Sequence, residues 1–157
     1  DTGLEPRYLE LELTESIVMK EPERTRGILE SLRALGILIS IDDFGTGYSS
    51  LSQLKHFPFD KLKIDKSFVD DLIVNADDAA IVSIIIAIAR SFKLKVIAEG
   101  VETEEQLHHL RSNGCDEMQG YYFSRPVAAA AAARLLADNA GQLDLHDNGT
   151  QPARMLT

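Results

Sequence analysis

The sequence predicts an α/β fold of parallel strands curling toward a closed (β/α)8 barrel, with about five βα units present in this chain. Three observations predict it. Strand-like and helix-like runs alternate at intervals of roughly twenty to thirty-five residues, the rhythm of βα repeats. One face of each strand repeatedly carries charge, whereas a doubly wound open sheet, covered on both sides, would be apolar. A barrel accounts for that charge, because helices cover its outer face and its mouth can be polar and catalytic. A complete barrel needs about 250 residues, so the 157 residues here read as a C-terminal portion over residues 1–137, followed by a flexible tail over residues 138–157. Open edges left by absent strands would need cover from another chain or segment.

Taken in order, Tyr8 to Thr14 alternates strictly, with leucines on one face and Glu10, Glu12 and Thr14 on the other. Glu15 follows at the end of this strand. Pro22 opens a helical pattern carrying Ile28, Leu29, Leu32 and Leu35, which Gly36 stops. Ile37 to Asp42 is a second strand, and alternation sends Ser40 and Asp42 to one face and Ile39, Ile41 and Asp43 to the other. Beyond a glycine-containing loop, Leu51 and Leu54 mark a short helix capped by Ser49 or Ser50 and ended before Pro58. Lys61 to Asp65 is a third alternating strand with Lys61, Lys63 and Asp65 on one side. A helical turn around Phe68, Val69 and Leu72 leads to a helix from Asp77 to Phe92, apolar enough that most of its circumference should be covered. Lys95 to Val101 is a fourth strand, and a helix from about Thr103 to Ser112 ends at Asn113 and Gly114. Asp116 to Tyr121, with Glu117 and Gln119 on one face, is a fifth. An alanine-rich helix starts at Pro126 and fades near Asp138.

The totals narrow the function. A hydrophobic content of 45% fits a globular domain with a core. A net charge of −9 argues against a nucleic-acid polymer as partner, since no basic excess exists to release counterions. Any phosphate-bearing ligand would need help from metal ions. The single cysteine, Cys115, excludes an internal disulfide and suits a reducing, cytoplasmic compartment. The apolar stretch Ala79 to Ala89 is too short to cross a bilayer, no signal peptide leads the chain, and its start at Asp1 suggests a piece of something longer.

The most informative stretch is Ser40 to Ser50, where a strand delivers two adjacent carboxylates, Asp42 and Asp43, to a loop of glycines and hydroxyls. Two acids this close repel unless a cation or a shared proton intervenes, which points to a divalent metal. A turn capping the next helix is the alternative, and on these residues alone the two stand level. Glu10 and Glu12 could form a solvent-exposed face, but the repetition of charge on successive strands favours an inner one. Lys61 and Lys66 read as surface charges. A carboxylate pair in a barrel mouth also fits a glycosidase, although Lys63 and the adjacency of Asp42 and Asp43 suit metal chemistry better.

Five segments in order resemble successive motifs of the EAL domain family, bacterial cyclic di-GMP phosphodiesterases: Glu12-Leu13-Thr14-Glu15-Ser16, Asp42 through Ser50, Lys63-Ile64-Asp65, Ala98 through Glu102, and Gln119-Gly120-Tyr121. The resemblance implies a barrel in which Mg²⁺ or Mn²⁺ helps water open one phosphodiester of cyclic di-GMP to give linear pGpG, with Ca²⁺ inhibitory. It implies Glu12 and Asp42 as ligands of a first metal, and Asp42 and Asp43 as ligands of a second. Lys63 corresponds to a lysine near the attacking water, and Glu99 to a general base or metal ligand. Gln119 corresponds to a glutamine supporting metal and water. Glu15 resembles a residue bracing the loop Phe44, Gly45, Thr46, Gly47, Tyr48, Ser49 and Ser50, a segment tied to substrate binding and dimer contacts. A homodimer, and a parent protein with sensor or diguanylate cyclase-like domains and a possible membrane anchor, are further expectations. The family's Glu-Ala-Leu signature and an asparagine ligand are not in this sequence. The first metal would therefore keep two protein ligands, and weak hydrolysis is expected of the isolated chain. The alternative function is a non-catalytic module binding cyclic di-GMP or a protein.

Overall fold

A computed structural model describes residues 2–18, 20–46, 54–143 and 154–155. The first strand is shorter than alternation predicts. Pro6–Tyr8 forms a 3₁₀ turn, with Pro6 supplying the fixed φ of its first position, and β1 runs over Glu10–Thr14. Helix α1 (Glu15–Val18) follows directly, and α2 spans Pro22–Ala34. Gly36, at φ +90°, turns the chain into β2 (Leu38–Phe44). Then come β3 (Lys61–Ile64), α3 (Lys66–Asp70), α4 (Ala76–Phe92), β4 (Lys95–Ala98), α5 (Glu104–Asn113), β5 (Glu117–Met118), α6 (Ala129–Leu143) and β6 (Arg154–Met155).

The six strands form one sheet in the order β1 to β6, every neighbour parallel. That order never reverses. Right-handed crossovers between sequential parallel neighbours put the connecting helices on the same side, so among the described residues the sheet has a helix-covered face and a second face without helices. Ile39, Ile41, Leu62, Ile64, Val96, Ala98 and Met118 point to the covered face and join the core with Val82, Ile85, Ile86 and Ala89 of α4. This is the layered logic of a barrel wall, not of a doubly wound sheet.

Several details differ from the sequence-based expectation. Helix α4 buries one face and leaves Ile84 58% exposed, so its apolar surface is less completely covered than its composition suggests. Strand β5 has two residues, and Gln119 lies just beyond it. Helix α6 continues to Leu143, past Asp138, and Arg154–Met155 pair with Glu117 and Met118. The expected short helix at Leu51 falls outside the described residues apart from Leu54, which is buried. Among the described residues no helix is long and apolar enough to cross a membrane.

The N-terminal ends of the strands share one device. Asp60, just before β3, accepts a hydrogen bond from the Ile39 amide of β2 at 3.0 Å, and Asp116, before β5, accepts one from Val96 of β4 at 2.8 Å. Each carboxylate satisfies a donor on the neighbouring strand. The opposite, C-terminal ends carry the functional groups.

Candidate metal and phosphodiester site

Residues of period two on β1, β3, β4 and β5 place charged side chains on the helix-free face. Lys63 stands at the centre, on the middle strand β3. Its ammonium lies 2.7 Å from Glu12 Oε2, 3.1 Å from Asp42 Oδ1 and 2.6 Å from Glu99 Oε1. Gln119 donates from Nε2 to Glu99 Oε1 at 2.8 Å. Five successive strands, β1 to β5, thus bring Glu12, Asp42, Lys63, Glu99 and Gln119 together at the C-terminal mouth.

Asp43 reaches this group by a route that alternation does not contain. Between Ile41 and Phe44 the register with β3 shifts by one residue, and Asp43 adopts φ +53°, a left-handed conformation. The bulge turns Asp43 away from the apolar face, where strict alternation puts it, and toward Asp42 and Asp65. Burial, and then the charges of Asp42 and Asp65, hold its carboxyl above the ordinary range. Asp65 moves the other way: the Ser67 hydroxyl bonds it, and the Ser67 amide donates at 3.0 Å, keeping its carboxyl below that range.

The balance of charge explains the remaining shifts. Burial alone would lower the Lys63 pKa, but bonds to Glu12, Glu99 and Asp42 outweigh it and drive the value well up. Glu99 is nevertheless raised, first by burial and then by Asp42 and Glu12, against the opposing pull of Lys63. One lysine does not neutralise the acids around it. Hard oxygen donors with excess negative charge are the set that suits a divalent cation such as Mg²⁺ or Mn²⁺, so the residues present fit one. Glu12, Asp42 and Asp43 carry such donors at the mouth, although among the described residues no three acids, histidines or cysteines stand around a common centre.

Glu15, at the start of α1, is 6% exposed, and its Oε2 has no hydrogen-bond partner among the described residues. Phe44 is a core residue at 3% exposure. Gly45 follows at φ +99°, where an added Cβ would come within 3.1 Å of the Phe68 ring, and Thr46 closes the turn by bonding the Asp43 carbonyl through its amide at 3.3 Å and its hydroxyl at 2.8 Å. Gly47, Tyr48, Ser49 and Ser50 lie outside the described residues.

Sequence reasoning missed two features. Lys61 is not a surface charge: it is 8% exposed and bridges Glu10 at 2.9 Å and Glu117 at 2.8 Å, one layer beneath Lys63. The signal was available, since alternation puts Lys61 on the same face as Lys63. The second is a cleft of about 580 Å³ beside Glu99 and Gln119, bordered by Lys66, Glu102, Tyr121, Phe123 and Arg125. Arg125 stacks over the Tyr121 ring at 4.7 Å. Lys66, expected on the surface, is indeed half exposed, but it is held at the rim of this cleft by Glu102 at 3.0 Å and by Asp70.

The family described as EAL domain matches residues 1–126. The bifunctional diguanylate cyclase/cyclic di-GMP phosphodiesterase MucR of Pseudomonas aeruginosa is 52% identical over 127 residues, which are 81% of this chain and 18% of that protein. The crystal structure of the EAL domain of Mycobacterium smegmatis DcpA superposes with a TM-score of 0.81 at 46% identity, over 87% of this chain and 61% of that one. Klebsiella pneumoniae BlrP1 in a manganese/cyclic di-GMP complex gives a TM-score of 0.73 at 40% identity, over 79% of this chain and 32% of that one. The chain thus spans less than a fifth of MucR's length and less than two thirds of each of these structures.

Proposed function

Because the chain belongs to the EAL domain family, we propose that its helix-free sheet face is a metal-dependent site that hydrolyses cyclic di-GMP to linear pGpG. The observation that carries this reading is the convergence of Glu12, Asp42 and Glu99 on one point, with Asp43 turned toward the same group by a bulge. MucR's phosphodiesterase activity and the manganese and cyclic di-GMP bound to BlrP1 support it.

Glu12, Asp42 and Asp43 would hold Mg²⁺ or Mn²⁺, with Asp42 shared between two ions. The cations supply neutralisation of the phosphodiester and activation of water. The chain's own residues do the rest. Lys63 has three donors and no acceptor, so it orients an oxygen nucleophile or a phosphoryl oxygen. Glu99, with its pKa raised by burial, is suited to take a proton from water, and Gln119 fixes the carboxylate's orientation. The aromatic and cationic rim of Tyr121, Phe123 and Arg125 offers stacking surface for a purine base. Glu15 braces the loop that begins at Phe44.

Ca²⁺ is expected to support binding without turnover. A longer parent protein, of the kind that the bifunctional MucR is, and a homodimer belong to the same proposal. The test is release of pGpG from cyclic di-GMP in Mn²⁺ or Mg²⁺. With Glu12 and Asp42 as the first metal's protein ligands here, these 157 residues alone should turn over slowly, and Asp42→Ala and Glu99→Gln should each abolish the residue of activity. Turnover that survives Asp42→Ala would refute the assignment.

A further inference from the structure

Lys63 fills the point that a metal-binding carboxylate cluster would otherwise leave open. Its side chain is 4% exposed, and its three nitrogen-bound hydrogens face three carboxylates at 2.6–3.1 Å. Among the described residues, no three acids, histidines or cysteines stand ready around a common centre to hold a metal ion. The centre that Glu12, Asp42 and Glu99 share is taken by the ammonium. A divalent cation binding through the same oxygens meets a like charge already in contact with them, and both cannot keep the full set.

We propose that Lys63 is the resident counter-cation of the metal-free site, and that metal binding displaces its ammonium from Glu12 and Asp42 while it keeps Glu99. The direction follows from the surroundings. Glu99 is pinned by Gln119 at 2.8 Å and makes the shortest of the three contacts. Glu12 is 50% exposed and free to turn, and Asp42 sits at the mouth next to the bulge. The backbone of β3 is paired with β2 and β4 on its two sides, so the exchange is a swing of one side chain and needs no movement of the strand. This inference rests on the phosphodiesterase reading and adds a regulation to it: the lysine that orients water in the loaded site opposes loading of the empty one. Metal affinity is set by a competition inside the chain.

The test is calorimetric titration of Mn²⁺ into the wild-type chain and into Lys63→Met, Lys63→Gln, Lys95→Met and Asp42→Ala, each checked by circular dichroism. Lys95 lies on β4, half exposed, with Glu117 as its carboxylate neighbour at 3.6 Å, so its loss removes one positive charge without emptying the centre. Both Lys63 variants should bind Mn²⁺ about tenfold more tightly than wild type, the worth of roughly one charge-assisted hydrogen bond that no longer has to be broken. Lys95→Met should stay within about twofold. Unchanged or weaker binding in the Lys63 variants overturns the competition, as does an equal gain in Lys95→Met, which would mark a general field effect. Wild-type binding that Asp42→Ala removes, without a gain in the Lys63 variants, sinks the competition and leaves the metal site standing. Absence of Mn²⁺ binding in every protein sinks both. Lys63→Gln retains a donor for Glu99 should the methionine variant fold poorly, and a Lys63 variant that folds only when Mn²⁺ is added supports the exchange.

Discussion

Asp43 concentrates the tension between stability and function in one residue. Its backbone is in a conformation that non-glycine residues seldom adopt, and its carboxyl is raised above 3.8 by burial and by Asp42 and Asp65. An acid whose folded pKa is raised costs the fold stability once it ionises, so the contribution of Asp43 should improve as pH falls through that raised value and be complete below the ordinary 3.8. Asp43→Asn should therefore raise the melting temperature of the metal-free chain at pH 7 by roughly 1–3 °C, helped by the tolerance of asparagine for positive φ. The same change should weaken Mn²⁺ binding. A lower melting temperature in a thermal melt would count against this account. The importance of Asp43 was legible in the sequence as one of two adjacent acids, but its position was not. Alternation assigns it to the apolar face, and a bulge depends on the partner strand's register, which no local pattern records.

At the scale of elements, β3 works as a spoke. Lys61 and Lys63 project from the central strand to acids on β1 and on the β4 and β5 side, in two layers. Hydrogen bonds from Lys61 to Glu117 and Glu10 outweigh the burial that would lower its pKa, which ends above 10.5. Its contribution is complete below the unfolded value near 10.5 and is lost only as pH rises through the folded one. Lys61→Met leaves Glu117, 2% exposed, with Lys95 as its remaining cation, and should cost about 3 kcal/mol in denaturant unfolding. Adding Glu117→Gln should recover much of that loss. If Lys61→Met costs nothing, the lower layer is not holding the strands. Another joint is Gly120, where an added Cβ would lie 2.2 Å from the Val101 carbonyl oxygen. Gly120→Ala should displace Gln119 from Glu99 and reduce pGpG formation at least tenfold. Helix ends were the most legible elements: Pro22 opens α2, and Asn113 and Gly114 end α5, because capping chemistry is local. Strand β5 was overread, since its extent depends on a neighbour, and the alternation through Asp116 to Tyr121 continues past the paired residues.

For the whole molecule, charge repeated on one face of successive strands was enough to choose a barrel wall over a doubly wound sheet. The sequential strand order and the one-sided helix layer follow from that choice. The burial of Lys61 was not foreseen because a lysine in isolation reads as solvent-exposed, and only the acids brought over from β1 and β5 make its burial tolerable. The cleft was likewise hidden, being assembled from the segments after β3, β4 and β5. On the function proposed above, this face binds the phosphates of cyclic di-GMP through metal held by Asp42 and its neighbours. Calorimetry of cyclic di-GMP binding to the wild-type chain and to Asp42→Ala, with Mn²⁺, with Ca²⁺ and with EDTA, tests it most directly. Binding should appear with either cation and vanish with EDTA or with Asp42→Ala. Binding that persists without a divalent cation, or that Asp42→Ala leaves intact, would contradict it.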